Sequence, residues 1–411
     1  MYNYPRPKRK RKALRICLVA EEYPGETGWG GIGTYHYNLA RGFIALECTV
    51  VVIARALERE SVVTDDGVTV YRILPVFREH AFLQETVGYR IAVARKLLQV
   101  IAEHHIDLIE TPEWKAETAL FNKVNPGVPL AVRMHSPFSV IRRINGQRVI
   151  RPEQRLQEYL EYELINTADY VSSSSTSLLT LAKRYGQILR PVESIVNPAN
   201  NVDFSPGAVP EALRRRYRGY RHIVLYVGRI ERRKGVTGLA KAVPHVIARH
   251  PKTLFLFVGR DTPTGPGGSS FWLHTLQGCA ERHVSSMQHE EFVEYLNLKN
   301  YYNLADVCVF PSLYENFPAV CLEALSCGCA VIGSKHGGMA EMIDDGYSGY
   351  LIDPRRVTQI AARINSLLSS EELRQRLGRN ALLRIEKQFD RVRATKLILN
   401  RYLQVVARCK V

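Results

Sequence analysis

No stretch of this 411-residue chain approaches the roughly 18 consecutive apolar residues that a membrane-crossing helix needs. An early apolar run around residues 16–20 is followed at once by Glu21 and Glu22, too short for the apolar stretch of a secretory signal. CxxC pairs are also missing. Most of the eight cysteines fall inside apolar runs such as DVCVF and CAVIG, where Cys acts as a small buried hydrophobe. Cys327-Gly328-Cys329 has no second ligand pair nearby, which disfavours structural zinc and leaves a reducing, cytoplasmic compartment as the expectation. Charged residues at 23% and aromatics at 9% exclude the disordered and fibrous classes.

Acids are absent from the first fifteen residues, which hold Arg6, Lys8, Arg9, Lys10, Arg11, Lys12 and Arg15. The whole chain carries 56 Lys and Arg against 40 Asp and Glu, a net charge of +16. A basic tail over residues 1–13 suits anionic lipid headgroups or phosphate-rich polymers, with a solvated leader as the plain alternative. It offers a peripheral contact with anionic membranes. Nucleic-acid binding would call for basic clusters with stacking aromatics or a known module, and neither follows the tail.

From residue 14 onward, short β-branched runs alternate with helical periods. Strands are expected over 14–20, 49–53, 106–110, 128–134 and 169–174, with helices over 35–46, 88–103, 115–123 and 152–167. Asp65-Asp66-Gly67 reads as a hairpin turn. Turn-rich sequence and a basic run interrupt the pattern over 197–220. It then restarts with strands over 222–227, 253–258, 307–310, 330–333 and 350–352 and a helix over 236–249. The fold class is α/β: two doubly wound Rossmann-like domains, over 14–205 and 206–390, facing an interdomain cleft. Residues 391–411 form a C-terminal helix able to pack back on the first domain. The cleft is the expected active site.

Three segments carry chemistry. Gly28, Gly30 and Gly33 formally match G-x-G-x-x-G, but they begin seven residues after the strand, and the second strand ends in Ala54-Arg55 rather than an acid. What remains is a glycine loop (Gly30, Gly31, Gly33) whose backbone can approach an anion at a helix N-terminus. VGRIERRKG opens the second domain, with Arg229 and Lys234 in a strand-to-helix loop suited to a diphosphate, or simply to solvent. Residues 311–328 (PSLYENFPAVCLEALSCG) run from a strand into a helix started by Pro318. Glu315 lies in the loop, and Glu323 lies in an apolar helix face, where its charge needs partners that a ligand's paired hydroxyls could supply.

Together these features resemble the retaining glycosyltransferases of family GT4, which have the GT-B fold, over about residues 14–353. His135 in AVRMHSPF, ADVCVFPSLYE, the Glu-x7-Glu pair and GGMAEMI followed by DDGYSGYLIDP complete the likeness. The resemblance implies a hexosyltransferase that moves sugar from a nucleoside diphosphate donor (a UDP-sugar favoured, GDP-mannose next) to a hydroxyl acceptor. Gly31 and its neighbours would approach the diphosphate, and Arg229 and Lys234 would neutralise it. Glu315 would contact the transferred sugar beside the Asn316 and Phe317 backbone, Glu323 would take the ribose hydroxyls, and His135 would face the sugar where the acceptor arrives. The chain has no D-x-D, so no metal or other cofactor is expected, protein cations taking that place. Glu110 stands where many relatives carry His, and the loop at 261–270 is longer than usual, which leaves the acceptor and the base open. A sugar-nucleotide epimerase of the same build and a basic-tail nucleic-acid-binding protein are the alternatives.

Overall fold

A computed structural model describes residues 13–80, 87–279 and 281–409 of the chain. The basic segment over residues 6–12 lies outside the described residues.

Two sheets organise the chain. The first has eight strands in the order β3-β4-β2-β1-β5-β6-β7-β8: β1 (Arg15–Val19), β2 (Thr49–Arg55), β3 (Ser61–Asp65), β4 (Val68–Ile73), β5 (Leu108–Pro112), β6 (Leu130–Met134), β7 (Tyr170–Ser173) and β8 (Glu193–Ser194). Every pairing in it is parallel except the β3–β4 hairpin. Asp66 (φ 46°) and Gly67 (φ 83°) turn that hairpin with two successive positive φ angles, as a tight two-residue turn requires. The second sheet has six parallel strands in the order β11-β10-β9-β12-β13-β14: β9 (His222–Val227), β10 (Thr253–Val258), β11 (Met287–Glu290), β12 (Val307–Phe310), β13 (Val331–Ser334) and β14 (Tyr350–Ile352). β9 and β10 are buried along their whole length. That is why they read as unbroken apolar runs rather than alternating ones: helices cover both faces of a parallel sheet.

Each sheet accordingly has a packed core on both faces. The Arg391–Cys409 helix follows the second domain in sequence but lies against the Gly31–Ala45 helix of the first. Ile398, Tyr402, Val405 and Val406 join the core beside Phe43 and Val50. The approach is close: a Cβ on Gly42 would fall 2.1 Å from Thr395 Oγ1. The expected helix over 115–123 is interrupted. Lys115 (φ 58°) and Ala116 (φ 46°) are left-handed, and the helix begins only at Ala119. Two short helices absent from the sequence reading, Phe138–Ile144 and Thr176–Tyr185, follow β6 and β7. The second is capped by Ser175, whose Oγ accepts from Leu178 N.

Candidate active site

The glycine loop lies between β1 and the Gly31–Ala45 helix, beyond the carboxyl end of a parallel strand, where ligands of such sheets bind. Its three glycines differ in what they do. A Cβ on Gly30 would fall 1.8 Å from Glu22 Oε2, and one on Gly33 would press on the carbonyls of Glu22 and Gly28 at 3.2 Å. The first contact is with the end of a movable side chain and the second with backbone, so Gly33 is the more constrained of the two. A Cβ on Gly31 would meet nothing within 4 Å, so at this glycine the helix N-terminus stands open to a ligand. Glu22, which the sequence reading passed over, sits against the loop. Burial and then Glu21 raise its carboxyl, while Lys115 and Arg229 oppose them, so the loop lies within the electrostatic reach of the second domain.

In the second domain, the turn after β9 presses on the loop after β12. A Cβ on Gly235 (φ 72°) would fall 1.8 Å from the Pro311 carbonyl oxygen, so only glycine permits that approach. The contact brings Lys234 Nζ to 2.6 Å and Arg233 Nη1 to 2.5 Å from the same Glu315 oxygen. Arg233 also reaches Glu231 at 2.8 Å. Burial alone would raise the Glu315 carboxyl, but Lys234 and then Arg233 outweigh it and hold it below the ordinary range. The same burial, with Arg233 alongside, lowers Lys234 against the pull of Glu315. Arg229 points outward, its side chain 60% exposed and 3.5 Å from Glu231. Lys234 is thus already engaged by an acid, and Arg233, not singled out from sequence, is the arginine that faces Glu315. Within the run Arg232-Arg233-Lys234, only the path of the backbone decides that the last two point inward.

Two glycines hold the Glu315-Asn316 segment in place. A Cβ on Gly337 or Gly338 would fall 2.0 or 1.7 Å from the carbonyl oxygens of Glu315 and Asn316, and Gly338 N donates to the Glu315 carbonyl at 2.9 Å. Asn316 then reaches across the cleft. Its Nδ2 donates to the His135 carbonyl at 2.5 Å and to Ser174 Oγ at 2.8 Å, and its Oδ1 accepts from Ser175 Oγ at 2.7 Å. Glu341 adds a second tie by accepting from Thr176 Oγ1 and from the N–H groups of Thr176 and Ser177 at the start of the Thr176–Tyr185 helix. Phe317 turns away, buried near Phe389 in the second core. Pro318 occupies the cap position just before the Ala319–Ser326 helix rather than its first turn.

His135 stands just beyond β6. Glu113 accepts from His135 N (2.7 Å) and Ser136 N (2.6 Å), which sets the loop's path. The ring packs edge-on to Tyr35 at 4.9 Å, and its Nε2 is buried without a partner. Burial, then His36 and Arg133, push it well below its ordinary value, so the imidazole is neutral. Glu110 is buried on β5, accepts a hydrogen bond from the Tyr402 hydroxyl and lies 3.6 Å from His36 Nε2. It does not open into the cleft.

Glu323 already has partners within the fold. The sequence left its carboxylate waiting for a ligand's hydroxyls, but two tyrosines already supply them: Tyr295 donates at 2.9 Å and Tyr302 at 3.0 Å. Burial raises the carboxyl to about 7 despite both donors. Above it, Trp29 of the glycine loop stacks on Tyr295, with ring centroids 3.7 Å apart and planes 13° apart. Neither aromatic was singled out from sequence, because only the facing of the two domains brings them together. Among the described residues, no group of three or more His, Cys, Asp or Glu side chains is placed to hold a metal ion.

Two family models divide the chain between them: a glycosyl transferase 4-like domain over residues 30–199, and glycosyl transferases group 1 over residues 215–384. Spore coat protein SA of Bacillus subtilis is 35% identical over 184 residues, which is 44% of this chain and about half (48%) of that protein. Glycogen synthase of Mycobacterium tuberculosis is 27% identical over 405 residues, covering 92% of this chain and 91% of that one. Among solved structures, sucrose-phosphate synthase from Thermosynechococcus elongatus superposes with a TM-score of 0.79 at 22% identity, over 96% of this chain and 100% of that one. HepE from Anabaena in complex with UDP-glucose does so with a TM-score of 0.71 at 18% identity, over 95% and 100%. With both halves of the cleft matched in order by these models, the chain belongs to the GT4-like glycosyltransferases of the GT-B fold and is a transferase.

Proposed function

We propose that the chain transfers a hexose from a nucleoside diphosphate sugar to a hydroxyl acceptor, with retention at the anomeric carbon and without a metal ion. The hydrogen bond from Asn316 to the His135 carbonyl carries this reading. It joins the Glu315 loop, with its two cations, to the His135 loop of the first domain, so donor phosphates and sugar would share one cleft. A diphosphate carries enough negative charge to compete with Glu315 for Lys234, which a short side-chain swing would deliver to the leaving group. Arg229, already turned to solvent, would close on it from the other side, and Arg233 would stay to hold Glu315. Gly31 would offer the helix N-terminus to the same phosphates. Freed from Lys234, Glu315 would accept from the sugar hydroxyls, and neutral His135 would lie at the acceptor side.

Glu323 remains the residue for the ribose. A carboxylate accepts up to about four hydrogen bonds, so it can keep its tyrosines and still receive a ribose hydroxyl once Trp29 and Tyr295 part. A uridine diphosphate sugar is favoured over GDP-mannose, with support from HepE, which was solved with UDP-glucose at the same fold. The family assignment favours transfer over epimerisation or nucleic-acid binding. The test is a panel of α-linked sugar nucleotides, with products followed by mass spectrometry and proton NMR. An α-linked product with release of UDP is expected. A β-linked product, or an isomerised sugar nucleotide with no glycosylated acceptor, would refute the reading.

A further inference from the structure

Trp29 stands between Gly28 and Gly30 in the glycine loop. Gly28 has φ 88°, and a Cβ there would meet nothing within 4 Å, so backbone conformation rather than packing calls for glycine at this point. Trp29 keeps 36% of its surface exposed. Two rings cover part of the rest. Tyr37 of its own domain meets it edge-on at 4.9 Å, and Tyr295 of the second domain stacks on it at 3.7 Å with the planes 13° apart.

The two members of the stack are not equally held. Tyr295 is only 7% exposed, its hydroxyl donates to Glu323, and the fully buried Phe204 packs edge-on to its ring at 5.1 Å. Trp29 rides on a loop beside a glycine with positive φ. Tyr295 is therefore the fixed member, and Trp29 the one that can leave by turning at Gly28. The stack also stands in the way of the carboxylate beneath it. Glu323 is 2% exposed, Tyr302 on its other oxygen is fully buried, and Trp29 is what the first domain lays over Tyr295. Ring centroids 3.7 Å apart are at van der Waals contact, so no ligand group fits between them.

We infer that the Trp29–Tyr295 stack is a latch: in the nucleotide-free chain it ties the glycine loop to the second domain and closes the way to Glu323, and a donor nucleotide binds by displacing Trp29. The inference rests on the ribose role given to Glu323 above. Apparent affinity is then lowered by the fraction of chains whose latch is open. A stack that keeps about nine chains in ten closed lowers it about tenfold, or ~1.4 kcal/mol, which is within the range of an aromatic pair.

The test titrates UDP and GDP by calorimetry into full-length wild type, Trp29→Ala and Trp29→Phe, and follows association by stopped flow. Trp29→Ala should bind nucleotide about tenfold more tightly than wild type, with Trp29→Phe in between. The observed association rate of wild type should level off as nucleotide rises, because unlatching becomes limiting, whereas that of Trp29→Ala should keep rising in proportion. Nucleotide should also make wild-type tryptophan fluorescence easier to quench with acrylamide, and this increment should vanish in Trp29→Ala, which retains Trp114 and Trp272. Equal affinity in wild type and Trp29→Ala overturns the inference. So does weaker binding by Trp29→Ala, which would make the indole part of the nucleotide's seat rather than its competitor. Trp29→Phe, which keeps a ring in place, carries the test if Trp29→Ala fails to fold. Failure of the ribose reading would look different: Glu323→Gln would bind nucleotide at pH 8 as tightly as wild type, whatever the Trp29 variants do.

Discussion

Replacing Glu323 by Gln removes a buried ionisation and little else, since the amide has the same shape and its carbonyl still accepts from one tyrosine. In the folded chain the carboxyl is raised from 4.5 to about 7 by burial. At 1.36 kcal/mol per pH unit, that difference amounts to ~3 kcal/mol. The sign follows from the direction. Below about pH 4.5 the group is protonated in both states and burdens neither. Between there and pH 7 the unfolded chain ionises first, so stability falls, and above pH 7 the loss is complete. Wild type should therefore lose ~3 kcal/mol from this group between pH 4.5 and pH 8, and Glu323→Gln should lose none of it. The assay is urea unfolding of both proteins at pH 5, 6, 7 and 8, followed by tryptophan fluorescence. The difference between them isolates Glu323 from Glu113, Glu117 and Glu161, whose carboxyls are raised as well. The same variant should bind nucleotide more weakly at pH 8 than wild type does, because a ribose hydroxyl donates best to a carboxylate. A stability difference that does not change with pH would refute the reasoning, whatever its size.

Other outcomes follow from the cation arrangement. Lys234→Ala and Arg229→Ala should each lower turnover by about a hundredfold if both stabilise the leaving diphosphate. Only Lys234→Ala should also lower the melting temperature, because it takes from the largely enclosed Glu315 one of its two cations while Arg229 is largely exposed. Steady-state kinetics and a thermal scan read the two effects. Activity should persist in excess EDTA; complete loss restored by manganese or magnesium would show that protein cations do not replace a metal. Deleting residues 1–12 should leave transfer to a soluble acceptor unchanged but weaken cosedimentation with anionic vesicles, where each Lys or Arg contributes ~1 kcal/mol near the surface. Equal vesicle binding by both forms would remove the membrane role from the tail.

What the sequence determined by itself was the layered fold and the motifs on it. β9, β10, β12 and β14 lie where the apolar runs placed them, at 222–227, 253–258, 307–310 and 350–352. A strand covered on both faces must be apolar throughout, and that requirement is local enough to read from composition. The glycine loop and the Glu-x7-Glu spacing were legible for a similar reason: a turn, or a strand-to-helix loop and the first turn of its helix, sets which residue types fit. Partner choice was not legible. Glu323 meets Tyr295 and Tyr302, which lie 28 and 21 residues away. Asn316 meets His135 across 181 residues and a domain boundary, and Tyr402 closes on Glu110 across 292. Nothing near any of these residues in sequence specifies its partner. Two sheets and the helix that returns from one to the other set those distances, so the tertiary structure alone decided which charges are paired and which remain open to a ligand.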